Sequence, residues 1–296
     1  MKLKKSQRNE LISGLLFLTP NLLGFIIFTA GPLIVSLYYS FTHFGVLSSP
    51  KFCGLENYRQ LFSDVLFQKA LINTLYYTVG VVIPLIILSL VLAVVLNMRL
   101  KGYLLFRTLY FLPVVTSTIA ISLLWRWIYD TNLGLINYIL SILQLSPIDW
   151  LGSTTWAMPS IILMSIWKGL GYNIVLYMAG LQSVPSQLYE AATIDGASEW
   201  QKFIRITIPL ISPTTFFILI MSIISSFQVF EQTYVMTRGG PVYSTTTLVY
   251  YIYLNGFQWF KMGYASSIAW VLFSIILIIT IIQWIFQKKW VFYYGA

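Results

Sequence analysis

The sequence is poor in charge, cysteine and histidine. Charged residues make up 9% of the 296 residues, whereas soluble domains carry about 25%. Hydrophobic residues reach 58%, so lipid must be the solvent for much of the chain. Cys53 and His43 are the only residues of their types, which excludes an intrachain disulfide. One cysteine and one histidine are not expected to build a zinc site, a haem pair or a copper centre, which argues against most membrane redox enzymes.

The sequence also lacks the signatures of an ATP-binding or catalytic protein. No G-x-x-x-x-G-K-[ST] motif occurs, so the chain is not expected to bind ATP through a P-loop. Glu190 and Asp195 lie near each other, but no nucleophile or base accompanies them, which favours a helix-end or docking pair over an acid–base dyad. We therefore predict no catalytic residue, no metal site and no cofactor. Any energy that the protein uses must come from another subunit.

The net charge of +9 comes from lysines and arginines at the edges of apolar runs. They form no basic face with interleaved aromatic residues, so nucleic acid is not a predicted partner. Their placement is typical of a topology signal. If the N-terminus is cytoplasmic, the inner side carries Lys2, Lys4, Lys5, Arg8, Arg99, Lys101, Arg107, Lys202, Arg205, Lys288 and Lys289. The outer side carries the smaller set Lys51, Arg59, Lys69, Arg126, Arg238 and Lys261, and this bias predicts that both termini are cytoplasmic.

Six apolar runs are long enough to cross the roughly 30 Å hydrocarbon layer as helices. They are Leu11–Tyr39, Ala70–Met98, Thr108–Trp125, Thr155–Leu181, Ile206–Phe230 and Met262–Gln287. The first run is too long for the core of a cleavable signal peptide, and no A-x-A site follows it. The sequence thus predicts an all-α, polytopic membrane protein with six transmembrane helices that sits in the lipid bilayer of a cell membrane.

The same pattern divides the chain into four parts. They are a cytoplasmic tail (1–10), a first transmembrane helix with an external loop (11–69), a core of five helices (70–290) and a cytoplasmic C-terminal tail (291–296). The core includes a long, polar-rich cytoplasmic segment, residues 182–209.

That segment has the local signals of a helix-turn-helix. Ser186 after Pro185 is expected to cap a short helix, and Asp195-Gly196 is expected to end it with a turn. Ser198 and Gln201 form a capping-box pattern that begins a second helix. An interfacial amphipathic connector would explain the helices equally well. However, the carboxylates Glu190, Asp195 and Glu199 outnumber the bases Lys202 and Arg205, and an acidic loop is poorly suited to anionic lipid, which favours docking to a cytoplasmic protein.

The residues of this segment resemble the EAA loop of ABC-type importer permeases. The stretch E-A-A-T-I-D-G runs from Glu190 to Gly196, and nine residues later I-T-I-P runs from Ile206 to Pro209. The family pattern is E-A-A, three residues, G, nine residues and I-x-L-P, so only Ile208 departs from it. The resemblance implies the type I importer permease fold and a coupling helix that docks on an ATPase subunit. It implies that role for Glu190, Ala191, Ala192, Asp195, Gly196, Ile206 and Pro209.

Further phrases resemble the branch of permeases for maltose-type sugars and glycerol-3-phosphate. They are G-L-E-N-Y (54–58), A-L-I-N-T (70–74), G-L-I-N (134–137), A-A-T-I-D-G-A (191–197), T-R-G-G-P (237–241) and M-G-Y-A (262–265). The resemblance implies a bacterial cell-membrane importer of a sugar or polyol-like solute. It also implies partners: a second homologous permease that is usually different, two ATP-binding subunits and an external solute-binding protein.

Polar residues inside the spans are candidates for the solute pathway, because burying them in hydrocarbon is costly. They are Lys168, Asn173, Ser222, Ser225, Gln228 and Glu231. The serines and Glu231 are spaced to share broadly one side of a helix, near aromatic residues that suit hydroxyl-rich solutes. Each serine has an alternative role in close helix packing. Lys168 has two alternatives, pairing with Glu231 or extending toward an interface.

A stand-alone secondary transporter or channel remains the alternative function. Such proteins often carry inverted repeats and intramembrane charges that bind coupling ions. No convincing repeat relates the two halves of the chain, and Lys168 is the one charge deep within a run. A membrane-embedded enzyme is disfavoured by the lack of histidine and of carboxylate clusters within the spans.

Overall fold

A computed structural model of the protein describes residues 5–46, 48–98 and 102–292. The outer ends of the predicted tails, 1–4 and 293–296, lie outside the described residues, as do Arg99 and Lys101 of the topology argument.

The described chain is helical almost throughout. Its helices are α1 (Lys5–Phe25), α2 (Gly31–Ser40), α3 (Glu56–Ser63), α4 (Val65–Asn97), α5 (Tyr103–Val115), α6 (Thr118–Ile128), α7 (Leu135–Ile142), α8 (Ala157–Gln182), α9 (Ser186–Ile194), α10 (Glu199–Lys202), α11 (Ile208–Leu210), α12 (Ser212–Phe227), α13 (Glu231–Met236), α14 (Leu248–Tyr253) and α15 (Met262–Gln287). Three π-helical turns join neighbouring helices: Ile26–Ala30, Phe203–Thr207 and Leu254–Gln258. A small antiparallel hairpin of β1 (Thr42–His43) and β2 (Lys51–Phe52) was not predicted.

Four helical segments of the described chain are long and apolar enough to cross a membrane, and the number reaches six if each of two bent pairs forms one span. The four are Ser13–Ser40, Val65–Asn97, Ala157–Gln182 and Met262–Gln287. The bent pairs are Thr108–Val115 with Thr118–Ile128, at 111°, and Glu199–Leu210 with Ser212–Phe227, at 63°. Each predicted run thus matches a helical segment, but the third and fifth are not single straight helices.

The chain forms two compact units. One consists of Met1–Ser63 and Ile252–Val271, and the other of Asp64–Tyr251 and Leu272–Ala296. In the first unit, the indole N–H of Trp270 donates to the hydroxyl of Ser36 over 3.3 Å.

The second, larger unit is built around α8. Fully buried side chains of this helix include Ile161, Met164, Ile174 and Tyr177, and α8 packs against α4, α5 and α12. Half of its most apolar stretch is buried inside the protein. A transmembrane helix that is buried on several sides is the centre of a bundle, so its polar residues face protein or an internal cavity rather than lipid.

The beginning of α4 holds a loop of the same unit. The Asp64 carboxylate caps α4 by accepting hydrogen bonds from the N–H groups of Leu66 and Phe67, at 2.9 and 3.3 Å. Asn73 donates from its side-chain amide to the carbonyl oxygens of Tyr243 and Thr246, both at 2.9 Å. Asn73, in the A-L-I-N-T sequence (70–74), therefore holds the loop that follows the T-R-G-G-P sequence (237–241) against α4.

Candidate functional site

A cavity of about 440 Å³ in the larger unit collects most of the predicted pathway residues. Its lining includes Lys168, Ser222, Ser225, Gln228 and Glu231. The sixth predicted residue, Asn173, does not line it. Asn173 is buried in α8, with 4% of its surface exposed, and its side-chain nitrogen has no hydrogen-bond partner among the described residues.

Two breaks in the helices meet at this cavity. The first is the bend between α5 and α6, and the flanking residues Val114 and Thr118 line the cavity. Pro113 lies one turn before the bend and donates no backbone hydrogen bond, which weakens the last turn of α5. Thr116 then takes an extended conformation, with φ −87° and ψ 140°.

The second break separates α12 from α13 at residues 228–230. Phe230 leaves the helical region, with φ −140° and ψ −57°. The prediction that the serines and Glu231 share one side of a single helix is therefore wrong, because Glu231 begins a new helix. They still line one cavity. Interrupted helices within a membrane protein are tolerated where they line a cavity or are buried in protein, so the two breaks fit a pathway position.

The polar residues of the cavity differ in accessibility. Ser222 and Ser226 are buried, as residues in close helix packing are, whereas Ser225, Gln228 and Glu231 are exposed. Among the described residues no ion pair joins Lys168 to Glu231, so the proposed pairing is not formed. The exposed amide and carboxylate remain available to a solute.

The cavity also contains residues that the sequence analysis missed. The Tyr77 hydroxyl on α4 donates to the Ser165 hydroxyl on α8 over 2.8 Å, and both residues line the cavity. Phe230 lines it as well and stacks on Tyr234, with ring centroids 5.4 Å apart. Helical spacing was the available signal for Ser165, which lies three residues before Lys168 and therefore on the same face of α8.

The segment 182–209 folds as the predicted helix-turn-helix. Its first helix is α9, but Ser186 is the first residue of α9 and Pro185 holds the cap position, so the predicted cap is off by one residue. The helix ends with two backbone hydrogen bonds, from Ala197 to Ala192 at 2.9 Å and from Gly196 to Thr193 at 3.1 Å. This pattern is a Schellman motif. Gly196 has φ +75°, the left-handed conformation that the sequence predicted for it.

The second helix of the segment has the predicted capping box. The Gln201 N–H donates to the Ser198 hydroxyl at 3.3 Å, and the Ser198 N–H donates to the Gln201 side chain at 2.8 Å. The helix continues through the π-helical turn and α11, and bends at Ile211 into α12. Pro209 and Pro213 flank this bend.

The resemblance to the EAA loop assigned seven residues of this segment. Glu190, Ala191, Asp195 and Gly196 are exposed, whereas Ala192, Ile206 and Pro209 are half-buried. Large apolar side chains accompany the exposed ones: Ile194 is 86% exposed and Trp200 is 68% exposed. The exposed surface of this loop therefore combines carboxylates with large apolar side chains that water alone would not favour there.

A side-chain contact joins the two helices of the segment, and an ion pair lies within the second. The hydroxyls of Tyr189 on α9 and Thr207 in the π-helical turn lie 2.9 Å apart. The Lys202 ammonium, largely buried, donates to the Glu199 carboxylate at 2.8 Å. The Tyr189–Thr207 contact ties α9 to the chain that continues through α11 into α12, on which the cavity-lining residues Ser222 and Ser225 lie.

Comparison with known proteins agrees with this geometry. The family model described as "Binding-protein-dependent transport system inner membrane component" matches residues 74–291. The probable ABC transporter permease protein YesP of Bacillus subtilis (strain 168) is 36% identical over 99% of this chain and 96% of its own length. The arabinooligosaccharides transport system permease protein AraP of the same organism is 38% identical over 90% of this chain and 86% of its own length.

A solved structure shares the fold. It is the crystal structure of a bacterial alginate ABC transporter in complex with an alginate pentasaccharide-bound periplasmic protein. One of its chains superposes with a TM-score of 0.84 and 25% identity, covering 95% of each chain. The family model covers well over half of the sequence and the relatives match along nearly all of it. This protein therefore belongs to the family of binding-protein-dependent transport system inner membrane components.

Proposed function

We propose that the chain is the transmembrane permease subunit of an ATP-driven ABC importer for a sugar or related polyol-like solute, of the oligosaccharide, monosaccharide or glycerol-3-phosphate class. The observation that carries this proposal is that an exposed acidic loop continues along the chain through α10, α11 and α12 to a polar, aromatic-lined cavity. The names of the relatives, which include an arabinooligosaccharide permease and an alginate importer, support the sugar class.

The mechanism follows from that connection. Glu190, Asp195 and the exposed apolar residues of α9 would contact an ATPase subunit, which hydrolyses ATP because this chain has no P-loop. Movement of α9 would then turn α12 and change the access of the cavity from one side of the membrane to the other. A second permease subunit would complete the pathway, and an external binding protein would deliver the solute.

Reconstitution tests this function directly. The chain would be purified with its second permease and ATPase subunits, placed in liposomes and supplied with the solute-binding protein. We expect uptake of a labelled solute of the binding protein only when ATP is present. Uptake driven by an ion gradient without ATP would instead support the secondary-transporter alternative.

The topology prediction is tested by cysteine labelling. Ser198→Cys in a Cys53→Ser background should react with a membrane-impermeant maleimide only after the cells are permeabilised, because residues 182–205 are proposed to be cytoplasmic. Cys53 of the natural chain is proposed to be external and provides the positive control. A hydrogen bond near the C-terminus supports placing the C-terminal segment and the loop on the same side of the membrane. The Phe292 N–H donates to the hydroxyl of Ser212, which lies beside the loop, at 2.8 Å. Labelling of Ser198→Cys in intact cells would reverse the orientation.

The prediction that polar residues line the solute pathway is tested at Gln228, which lines the cavity, and at Asn173, which does not. Gln228→Leu should lower the rate of uptake at a limiting solute concentration about tenfold, since a hydrogen bond to a solute hydroxyl contributes about 1–1.5 kcal/mol. Gln228→Asn keeps the amide and should lose less. Asn173→Leu, which we also predicted to impair transport, tests a residue outside the cavity lining. Unchanged uptake kinetics in both Leu variants would assign these residues to packing.

A further inference from the structure

The register of the small hairpin in the first unit brings the single histidine and the single cysteine of the chain together. Thr42 pairs with Phe52, and His43 pairs with Lys51. The Cys53 N–H donates to the Phe41 carbonyl at 2.9 Å, which extends the ladder by one step. Because side chains alternate between the faces of a strand, His43 and Cys53 lie diagonally on one face.

A turn after Cys53 then brings the carboxylate of Glu56 close to His43 and Cys53. Gly54 adopts φ +62° and reverses the chain immediately after Cys53. Glu56 follows as the first residue of α3, and its Oε2 atom lies 3.1 Å from Nε2 of His43. One potential ligand atom from each of His43, Cys53 and Glu56 lies within 4.8 Å of the other two.

The backbone that carries these three residues is fixed. Asn57, next to Glu56, is 4% exposed. Its side-chain amide donates to the carbonyl oxygens of Ser40 and Thr42, both at 2.9 Å. These buried hydrogen bonds attach the first turn of α3 to the strand that carries His43. The side chains of His43 and Glu56 are themselves 54% and 65% exposed, so they can rotate about fixed positions.

We propose that His43, Cys53 and Glu56 bind a borderline-soft divalent cation, with zinc as the representative ion. Imidazole nitrogen, thiolate sulfur and carboxylate oxygen are the three ligand types of protein zinc sites. Bond lengths of about 2.0–2.3 Å place ligands of one zinc about 3.3–3.6 Å apart, which modest side-chain rotation reaches from the observed positions. Water completes the fourth position. The thiol transfers its proton to solvent when the metal binds.

The presence of only one cysteine and one histidine does not exclude zinc at this place. That count considered two ligand types, and Glu56 supplies a third. Magnesium and calcium are not expected occupants, because they prefer oxygen ligands only. A bound ion would link the hairpin directly to α3 and would shield the Cys53 sulfur from alkylation and oxidation.

Cobalt is the spectroscopic probe for this site. The full-length chain, purified in detergent with an affinity tag that contains no histidine, would be titrated with Co²⁺. Because Cys53 is its only cysteine, a sulfur-to-cobalt charge-transfer band can arise only there. We expect such a band to saturate at one ion per chain and to disappear on addition of Zn²⁺, but not of excess Mg²⁺. Absence of the band would overturn the proposal.

Variants test the other two ligands. His43→Gln and Glu56→Gln should each weaken Co²⁺ and Zn²⁺ binding at least about tenfold. Asp130→Asn removes an exposed carboxylate elsewhere and keeps a side-chain oxygen to cap Asn132 and Leu133, so its affinity should be unchanged. Equal affinity in the natural chain and both Gln variants would mean that a lone thiolate binds the metal, and the three-ligand site would be rejected.

A measurement on the unaltered protein removes any dependence on variant folding. Alkylation of Cys53 by an impermeant maleimide would be timed in intact cells that contain the assembled transporter. Zinc in the medium should slow the reaction several-fold, and chelation should restore it. Identical rates with zinc and with chelator would contradict the site.

Discussion

Gly196→Val should remove most of the ATP-driven uptake while the chain still inserts and folds. Gly196 ends α9 at φ +75°, where a side chain costs about 1–2 kcal/mol and a β-branched one more. A Cβ atom placed there meets nothing within 4 Å, so the strain is confined to the turn. Relief of that strain would tilt α9 away from the second helix of the segment. The proposed ATPase contact would then be misplaced, and uptake should fall by more than about tenfold.

The same position offers a matched control. Asn is among the residues with a side chain that best tolerate the left-handed conformation, so Gly196→Asn should keep most of the uptake. Purified complexes would be compared for bound ATPase subunit and for solute-stimulated ATP hydrolysis. Full retention of the ATPase with normal stimulation in Gly196→Val would show that the segment 182–209 is only a connector.

A charge reversal on α9 tests the same proposed contact with the ATPase subunit. Glu190 is exposed on α9, so Glu190→Lys disturbs no buried contact but reverses the charge that faces a partner. It should lower uptake and ATPase retention, and a compensating acidic substitution in the ATPase groove should restore part of both. Glu190→Gln removes the charge without reversing it and should have a smaller effect.

This loop was predicted well because its signals are local. Gly196 ends a helix by its own conformational freedom, and the Ser198–Gln201 capping box forms within four residues. The one-residue error at Ser186 is of the same local kind, since Pro185 has the extended backbone of a cap residue but makes no side-chain hydrogen bond. Such features need no tertiary information.

The helix breaks and the side-chain clusters depend on contacts that the sequence does not display. No proline lies between Phe227 and Glu231, so the break there had no strong local signal. The break accounts for the meeting of Gln228 and Glu231 at the cavity. Likewise, His43 and Cys53 are ten residues apart, and only the strand register makes them neighbours. Periodicity could suggest which residues are polar and buried, but not which ends of different helices meet.

Gly171→Ala should strongly destabilise the larger unit. Gly171 is buried on α8, and a Cβ atom there would overlap the carbonyl oxygen of Tyr110 on α5 and lie 2.9 Å from Cγ2 of Val114. A backbone carbonyl cannot rotate aside, so α5 must move. Overpacking of side chains alone costs about 1–3 kcal/mol, and displacement of a helix costs more. We expect a large loss of detergent-extractable protein and a lower midpoint of thermal unfolding.

The identical substitution at Gly24 on α1 isolates the effect of helix contact. A Cβ atom at Gly24 meets nothing within 4 Å, so Gly24→Ala should leave the unfolding midpoint of the isolated chain unchanged or raise it, since Ala favours a helix by up to about 1 kcal/mol. Both glycines lie within long apolar helices, so the two variants are expected to insert into the membrane equally well. If Gly171→Ala were as stable as Gly24→Ala, α5 and α8 would not be in backbone contact. The cavity that Val114 and Thr118 help to line would then have a different shape, because the bend after α5 holds both residues in place.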